Sequence, residues 1–177
     1  MKQVIITSGG CEEYIDGVRS LTNFATGKTG ATIAQYFLTQ GYYVYYVHGR
    51  RAQCPLPHQK LECLPFTDFK ELSTILHNLA QNIQAPHAVL SAAAVSDFGV
   101  SSVTIGDTVY APEQPPKLST DFVQGQPISI QLSPHPKLID RLRTYFPPPV
   151  CLIGFKLTRN ALLEERITAV QQLFSHS

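Results

Sequence analysis

Five segments of the 177-residue chain carry residue types that could bind or do chemistry on a nucleotide-like anion. The first is Asn23-Phe24-Ala25-Thr26-Gly27-Lys28-Thr29-Gly30, where two glycines flank a lysine directly before a helical period. Glycine lets backbone N–H groups come close to a ligand. Thr26 and Thr29 add hydroxyl donors, Lys28 adds a full positive charge, and the helix N-terminus adds a partial one. That is an anion cradle; an ordinary Gly-rich helix start with a solvated Lys28 accounts for the pattern equally well. Ser8-Gly9-Gly10 follows the β-branched run at 4–7 and reads either as a turn whose amides hold phosphate or as a plain tight turn. In SAAAVSDF (91–98), Ala92 and Ala93 leave room for a flat ligand. Asp97 could accept from a ribose hydroxyl or hold a metal through water, or be a simple turn residue. Lys117 stands in a Pro-rich stretch, either as a lid cation closing over phosphates or as a solvated loop lysine. Phe155, after VCLIG, could stack on a base, although core packing is the commoner fate of such a residue.

Other chemistries lose support. GxGxxG and GxxxxGK[ST] are both absent, which argues against a flavin- or NAD-binding Rossmann dehydrogenase and against a P-loop NTPase. No GxSxG elbow or Ser-His-Asp order stands out, and Glu164-Glu165 read as a solvated helix face. Cys11, Cys54, Cys63 and Cys151 form no CxxC pair, and the six histidines show no HxxxH or HxxEH spacing. A structural zinc site and a disulfide framework are therefore not expected; the cysteines read as reduced, buried or half-buried thiols of a cytoplasmic protein, with no metal ligands.

The elements that must position these residues alternate. Residues 4–7 read as a buried strand, 29–40 as a helix stopped by Gly41, and 42–48 as a second strand, which makes one βαβ unit. A short strand is expected at 61–64. Asp68 with Glu71 three residues on predicts a capped helix carrying Phe69, Leu72, Ile75, Leu76, Leu79 and Ile83. AVLSAAAV (88–95) reads as a third central strand, and ISIQL (128–132) as another. Pro136 precedes a helix at 137–146, and VCLIGF (150–155) reads as a buried strand. A last helix at 160–174 should turn Leu163, Ile167, Val170 and Phe174 inward. Residues 11–28 read as irregular, and 96–127 lack a sustained period, so a long functional flap is expected over about 99–127. The fold class is thus α/β: a three-layer, Rossmann-like, mostly parallel sheet with helices on both faces, in one domain over 1–177. Ligands in such sheets bind at the C-terminal strand ends, where all these segments fall.

Composition fits that class. Fourteen basic and thirteen acidic residues leave a net charge of +1, which gives no field for nucleic acid or an anionic membrane. No apolar run approaches the ~20 residues of a membrane span, and the N-terminus reaches glycine too early for a secretory h-region. Only 15% of residues are charged, below the ~25% usual for soluble domains. With eight Tyr and nine Phe, this hints that another subunit covers part of the surface.

Taken together the segments resemble the phosphopantothenoylcysteine synthetase family, most nearly its stand-alone bacterial type. ITSGGCEEYIDGVRSLTNFATGKTG is similar to the family's opening, SAAAVSDF to its A-A-V-[SA]-D-[YF], PPKLST to its lysine-bearing flap, LSPHPKLIDRL to its P-x-[IL] segment, and LIGFKL to its [IV]-G-F-[AK]. The blocks occur in the family's order over nearly the whole chain.

The resemblance implies a ligase of coenzyme A biosynthesis. A nucleoside triphosphate, CTP in most bacterial members but ATP in others, would activate the carboxylate of 4′-phosphopantothenate with Mg²⁺ assisting. Cysteine would then displace the nucleoside monophosphate. It also implies roles by position. Asn23 would hold the pantothenate carbonyl region and anhydride, and Lys117 would meet the triphosphate and acyl intermediate. Ser8, Gly9, Gly10, Gly27 and Lys28 would cradle phosphates. Ala92, Ala93 and Asp97 would form the base and ribose wall, and Phe155 would pack on the base. A homodimer is implied as well. Three departures stand out: Cys11 replaces a usual Thr, the flap keeps a single lysine, and family members continue beyond the last helix with a further strand and more nucleotide wall. The alternative is a catalytically impaired short relative that binds nucleotide or acts as a partner subunit.

Overall fold

The computed structural model describes residues 2–112, 114–157 and 162–175. Its centre is a five-stranded, all-parallel sheet in the order β10-β6-β1-β4-β5. The strands are β1 (Gln3–Ser8), β4 (Tyr43–Gly49), β5 (Leu61–Phe66), β6 (Ala88–Ser91) and β10 (Cys151–Gly154). Side-chain alternation divides β1 between two faces. Val4 and Ile6, with Val44, Tyr46 and Leu90, pack on Ala31, Ala34 and Leu38 of α1 (Lys28–Thr39). Ile5, Val47 and Val89 pack on Leu72 and Leu76 of α2 (Phe69–Asn82) and on Leu138 and Leu142 of α4 (Leu138–Tyr145). The result is the expected three-layer, Rossmann-like architecture. Each fully buried Leu, Ile or Val contributes about 1.5–3 kcal/mol of burial, so these two faces hold the sheet together.

The chain builds the sheet outward from β1 through β4 to β5, then returns across it to β6 and β10. Neighbours of β1 therefore come from both directions, and the C-terminal ends of β1 and β6 mark the switch point at which sheets of this class form a ligand crevice.

Several expectations need correction. Residues 11–28 hold a hairpin of β2 (Glu12–Tyr14) and β3 (Ser20–Thr22). The aperiodic stretch is largely ordered. β7 (Phe98–Ile105) pairs antiparallel with both β8 (Thr108–Tyr110) and β9 (Ile128–Pro134), and α3 (Thr120–Val123) makes one short turn of helix. This small sheet packs Val103 and Ile105 on Ile15, Leu118 and Val123, a satellite core of its own. Among the described residues of 98–127, 106–107, 111–112, 114–119 and 124–127 lie outside strands and helices. β10 is not a buried strand but an edge, with Ile153 38% exposed. On α5 (Leu163–Ser175), Leu163, Ile167 and Val170 face solvent and not a core; the Phe174 side chain lies outside the described residues. Among the described residues no helix is long and apolar enough to cross a membrane.

Candidate active site

Five glycines bring three loops together at the mouth of the crevice. Gly9 and Gly27 have φ of 79° and 74°, and a Cβ on either would come within 2.7 Å of the Ala52 Cβ. Gly10 lies against the Asn23 carbonyl, Gly49 against the Gly10 carbonyl, and Gly30 against the Ser8 side chain. Backbone thus packs on backbone where side chains would hold it apart.

Hydrogen bonds lock the loops. The buried Ser8 hydroxyl donates to the Gly27 carbonyl at 3.0 Å. Ala94 N–H donates to Gly9 O at 2.7 Å, Cys11 N–H to Ala94 O at 3.3 Å, and Ala93 N–H to Thr7 Oγ1 at 3.1 Å. Asn23 Nδ2 donates to Val95 O at 3.2 Å, which ties the Asn-bearing loop to the SAAAVSD loop. Gln53 N–H donates to Thr26 O at 2.8 Å, so the β4–β5 connection buttresses the cradle from behind.

α1 opens on this crevice with Gly27 at its N-cap, no side-chain cap and no acidic residue in its first turn. Its first amides lack helical acceptors and its dipole presents positive charge, so this end suits an anion. Lys28 is exposed beside it. Gly154 pairs with Ser91, so Phe155 and Ala92 leave adjacent strand ends together; Phe155 is half exposed.

The structure therefore gathers Ser8, Gly9, Gly10, Asn23, Gly27, Lys28, Ala92 and Ala93 around one crevice and puts Phe155 at its edge. It does not bring Asp97 or Lys117 into a bonded contact with them. Both side chains are exposed and make no hydrogen bond or ion pair among the described residues. Backbone bonds pin the Asp97 carbonyl to His135 N–H where the chain turns into β7.

The residue that sequence reasoning missed is Asp16. Its Asp-Gly pattern reads as a plain turn, yet it is fully buried at the tip of the β2–β3 hairpin. Its carboxylate accepts from Val18 N–H (2.8 Å), Arg19 N–H (2.6 Å), the Arg19 guanidinium (2.7 Å) and, across 102 positions, Leu118 N–H (3.1 Å). Burial pushes its pKa up, but the three backbone donors and the guanidinium outweigh that and hold it at about 2, below the ordinary 3.8. Leu118 neighbours Lys117, so Asp16 anchors the base of the flap to the hairpin that ends at Asn23. The separation along that hairpin is about 10 Å by strand rise. The available signal is the DGVR run: an acid and an arginine three apart around a glycine turn.

Glu13 likewise gives no sign of its role in the sequence. It accepts from Phe69 N–H at 3.1 Å, while Glu12 pairs with Arg51 at 3.1 Å. Cys11 is a buried thiol, as expected, with its pKa pushed up to about 12 by burial, so it is no nucleophile. Cys54, Cys63 and Cys151 are exposed, against expectation. A separate groove of about 440 Å³ between α2 and α4, lined by Phe69, His77, His135 and Tyr145 among others, contains none of the crevice residues.

Known proteins resemble the chain over almost all of it. The coenzyme A biosynthesis bifunctional protein CoaBC of Thermococcus kodakarensis is 29% identical over 173 residues, covering 97% of this chain and 38% of the relative. Human phosphopantothenate–cysteine ligase is 28% identical over 226 residues, covering 98% of this chain and 69% of the relative. This chain thus spans well under half the length of its archaeal CoaBC relatives. The crystal structure of a DNA/pantothenate metabolism flavoprotein from Streptococcus pneumoniae superposes with a TM-score of 0.80 at 27% identity, covering 99% of this chain and 78% of that one. The family of the DNA/pantothenate metabolism flavoprotein C-terminal domain matches residues 1–172. With the parallel sheet, the glycine-lined crevice and this match in hand, the chain belongs to that family.

Proposed function

We propose that this chain carries phosphopantothenate–cysteine ligase activity in coenzyme A biosynthesis. The observation that carries the reading is the convergence of the Ser8–Gly10, Asn23–Lys28 and Ala92–Val95 loops on the uncapped N-terminus of α1. Relatives named as phosphopantothenate–cysteine ligase support it.

Two steps balance the reaction. A carboxylate oxygen of 4′-phosphopantothenate attacks the α-phosphorus of a nucleoside triphosphate, forming an acyl phosphoanhydride and expelling pyrophosphate. The cysteine amine then attacks the acyl carbon, the nucleoside monophosphate leaves, and the amine gives up a proton. A carboxylate is a poor electrophile, so the protein's part is to position the reactants and neutralise charge. The α1 amides with Lys28 and the glycine turn hold phosphates. Asn23, an uncharged donor and acceptor, orients the acyl group. Lys117 brings a cation from the flap. Ala92 and Ala93 line the base, Phe155 stacks on it, and CTP is the triphosphate. Mg²⁺ would enter on the phosphate oxygens, with Asp97 as the oxygen donor on the protein side. Two chains act as a homodimer. Supporting this, Ile128 (41% exposed), Ile130 (39%) and Leu132 (44%) lie on one face of the edge strand β9, Phe98 is exposed where β7 pairs with Pro134 of that strand, and Phe122 is exposed shortly before β9 in the chain.

One feature favours a second reading, a relative that binds nucleotide without turning over: Lys117 is the single lysine of its flap. Pyrophosphate release with phosphopantothenate, cysteine and each nucleotide in turn separates the two. We expect release with CTP. Asn23→Ala and Lys117→Ala should each reduce it at least ~100-fold, as loss of an oriented polar group does, with unchanged circular dichroism. Nucleotide binding without pyrophosphate release selects the second reading.

A further inference from the structure

A cluster of soft donors lies apart from the crevice. His48 near the end of β4, Cys63 on β5 and Cys54 in the loop between them place one ligand atom each within 4.8 Å of one another. The register pairs Tyr46 with Cys63, so His48, two residues on, shares their face of the sheet. Cys54 Sγ lies 3.8 Å from His48 Nε2. With metal–ligand bonds of about 2.0–2.3 Å in a tetrahedron, adjacent sulfur and nitrogen donors sit about 3.5 Å apart, so the spacing is close to that of a loaded site.

The imidazole is also prepared. His48 Nδ1 lies 3.0 Å from the Gly49 carbonyl, which can only accept, so Nδ1 carries the proton and Nε2 keeps a free lone pair, with Cys54 Sγ beside the ring at 3.8 Å from Nε2 and 3.9 Å from Nδ1. A ligating histidine is typically oriented by such a bond. The Tyr46 ring stacks on the imidazole at 5.4 Å, and the Tyr46 hydroxyl donates to Gln53 O at 2.6 Å, holding the loop beside Cys54.

We propose that His48, Cys54 and Cys63 form a binding site for a thiophilic divalent ion of the zinc class. It would be three-coordinate from protein, with a fourth position open to water because both cysteines are exposed. Binding converts both thiols to thiolates and releases two protons, leaving a neutral MS₂N unit. The ion would staple the 50–57 loop to β4 and β5. The same loop carries Ala52, which packs on Gly9 and Gly27, so occupancy also stiffens the wall behind the crevice.

Co²⁺ alone, added to the full chain kept reduced with a phosphine, is the first probe. It should bind one equivalent and give a thiolate-to-cobalt charge-transfer band. Cys54→Ser, Cys63→Ser and His48→Gln should each weaken or remove that band. In the second arm, Zn²⁺ should protect Cys54 and Cys63 from alkylation while Cys151, exposed and outside the cluster, reacts as before. Zn²⁺ should also raise the melting temperature of the parent chain but not of Cys54→Ser. Absence of the band, a band that survives in the Cys54→Ser/Cys63→Ser double variant, or equal alkylation of the three exposed cysteines with and without zinc would overturn the proposal.

Discussion

The N-termini of α1 and α2 both face the C-terminal edge of the parallel sheet, yet they are finished in opposite ways. At α2, Asp68 accepts from Glu71 N–H at 2.7 Å, Glu71 accepts from Thr67 N–H at 2.7 Å, and Glu13 reaches from the hairpin to accept from Phe69 N–H. Asp68 and Glu13 satisfy two orphan amides of the first turn, Glu71 closes the residue before the cap, and the three carboxylates together offset the helix dipole, which amounts to about half a positive charge. At α1 the cap is a left-handed glycine with no side chain to close it, only the neutral Thr26 hydroxyl accepts from the first turn (Lys28 N–H, 3.4 Å), and Lys28 adds to the positive end. One helix start is closed by the protein's own acids; the other is left for a foreign anion. What distinguishes a binding end from a structural one here is the capping chemistry, since both helices bury apolar stripes against the same sheet.

Changes at the two helix starts should separate stability from binding. The largest effect is expected at Gly27→Ala. A side chain at φ 74° costs about 1–2 kcal/mol, and its Cβ would meet Ala52, so we expect a fall of about 2 kcal/mol or more in urea unfolding together with loss of nucleotide binding. Wild-type nucleotide affinity by calorimetry in this variant would remove α1 from the anion site. Asp68→Ala should cost about 1 kcal/mol through the lost cap and leave nucleotide affinity alone; weakened binding would mean that the two helix N-termini are coupled.

The third expectation concerns acid. Asp16 has a folded pKa near 2 against an ordinary 3.8, so its contribution is fully present above about pH 4 and is lost as pH falls from there through 2. Asp16→Asn should flatten the fall in stability over that window, and proteolysis at the flap should rise because Leu118 N–H loses its carboxylate. An unchanged acid slope would show that other carboxylates dominate. The smallest effect on folding is expected at Ile130→Ser, within ~0.5 kcal/mol at this exposed position. Sedimentation should nevertheless shift toward monomer; a dimer unmoved by it would place the interface elsewhere.

Much of the site is legible in the sequence because it is written in local pattern. Ser8-Gly9-Gly10 and Gly27-Lys28 stand out by type, and Asp68 with Glu71 reads directly as a cap. Residues 98–110 do not read as strands. The β7 burial pattern does not alternate cleanly, and the ladder with β9 contains a register irregularity between Val100 and Ser102. α5 misleads for the opposite reason: its period of 3.6 is genuine, but nothing among the described residues buries Leu163, Ile167 or Val170. Periodicity states that a face is apolar, not that a partner is present.

By itself the sequence determined the alternation of strands and helices, the apolar faces of α1 and α2, and the glycines that permit close backbone approach. Each of these depends on neighbours within a few residues. Tertiary structure alone decided that Asp16 would grip Leu118, that Glu13 would finish α2, and that His48, Cys54 and Cys63 would share one corner. Those contacts join positions far apart in the chain or set by strand register. A buried carboxylate or a thiol pair acquires its role from the donors that folding brings to it, and no spacing rule encodes which donors those are.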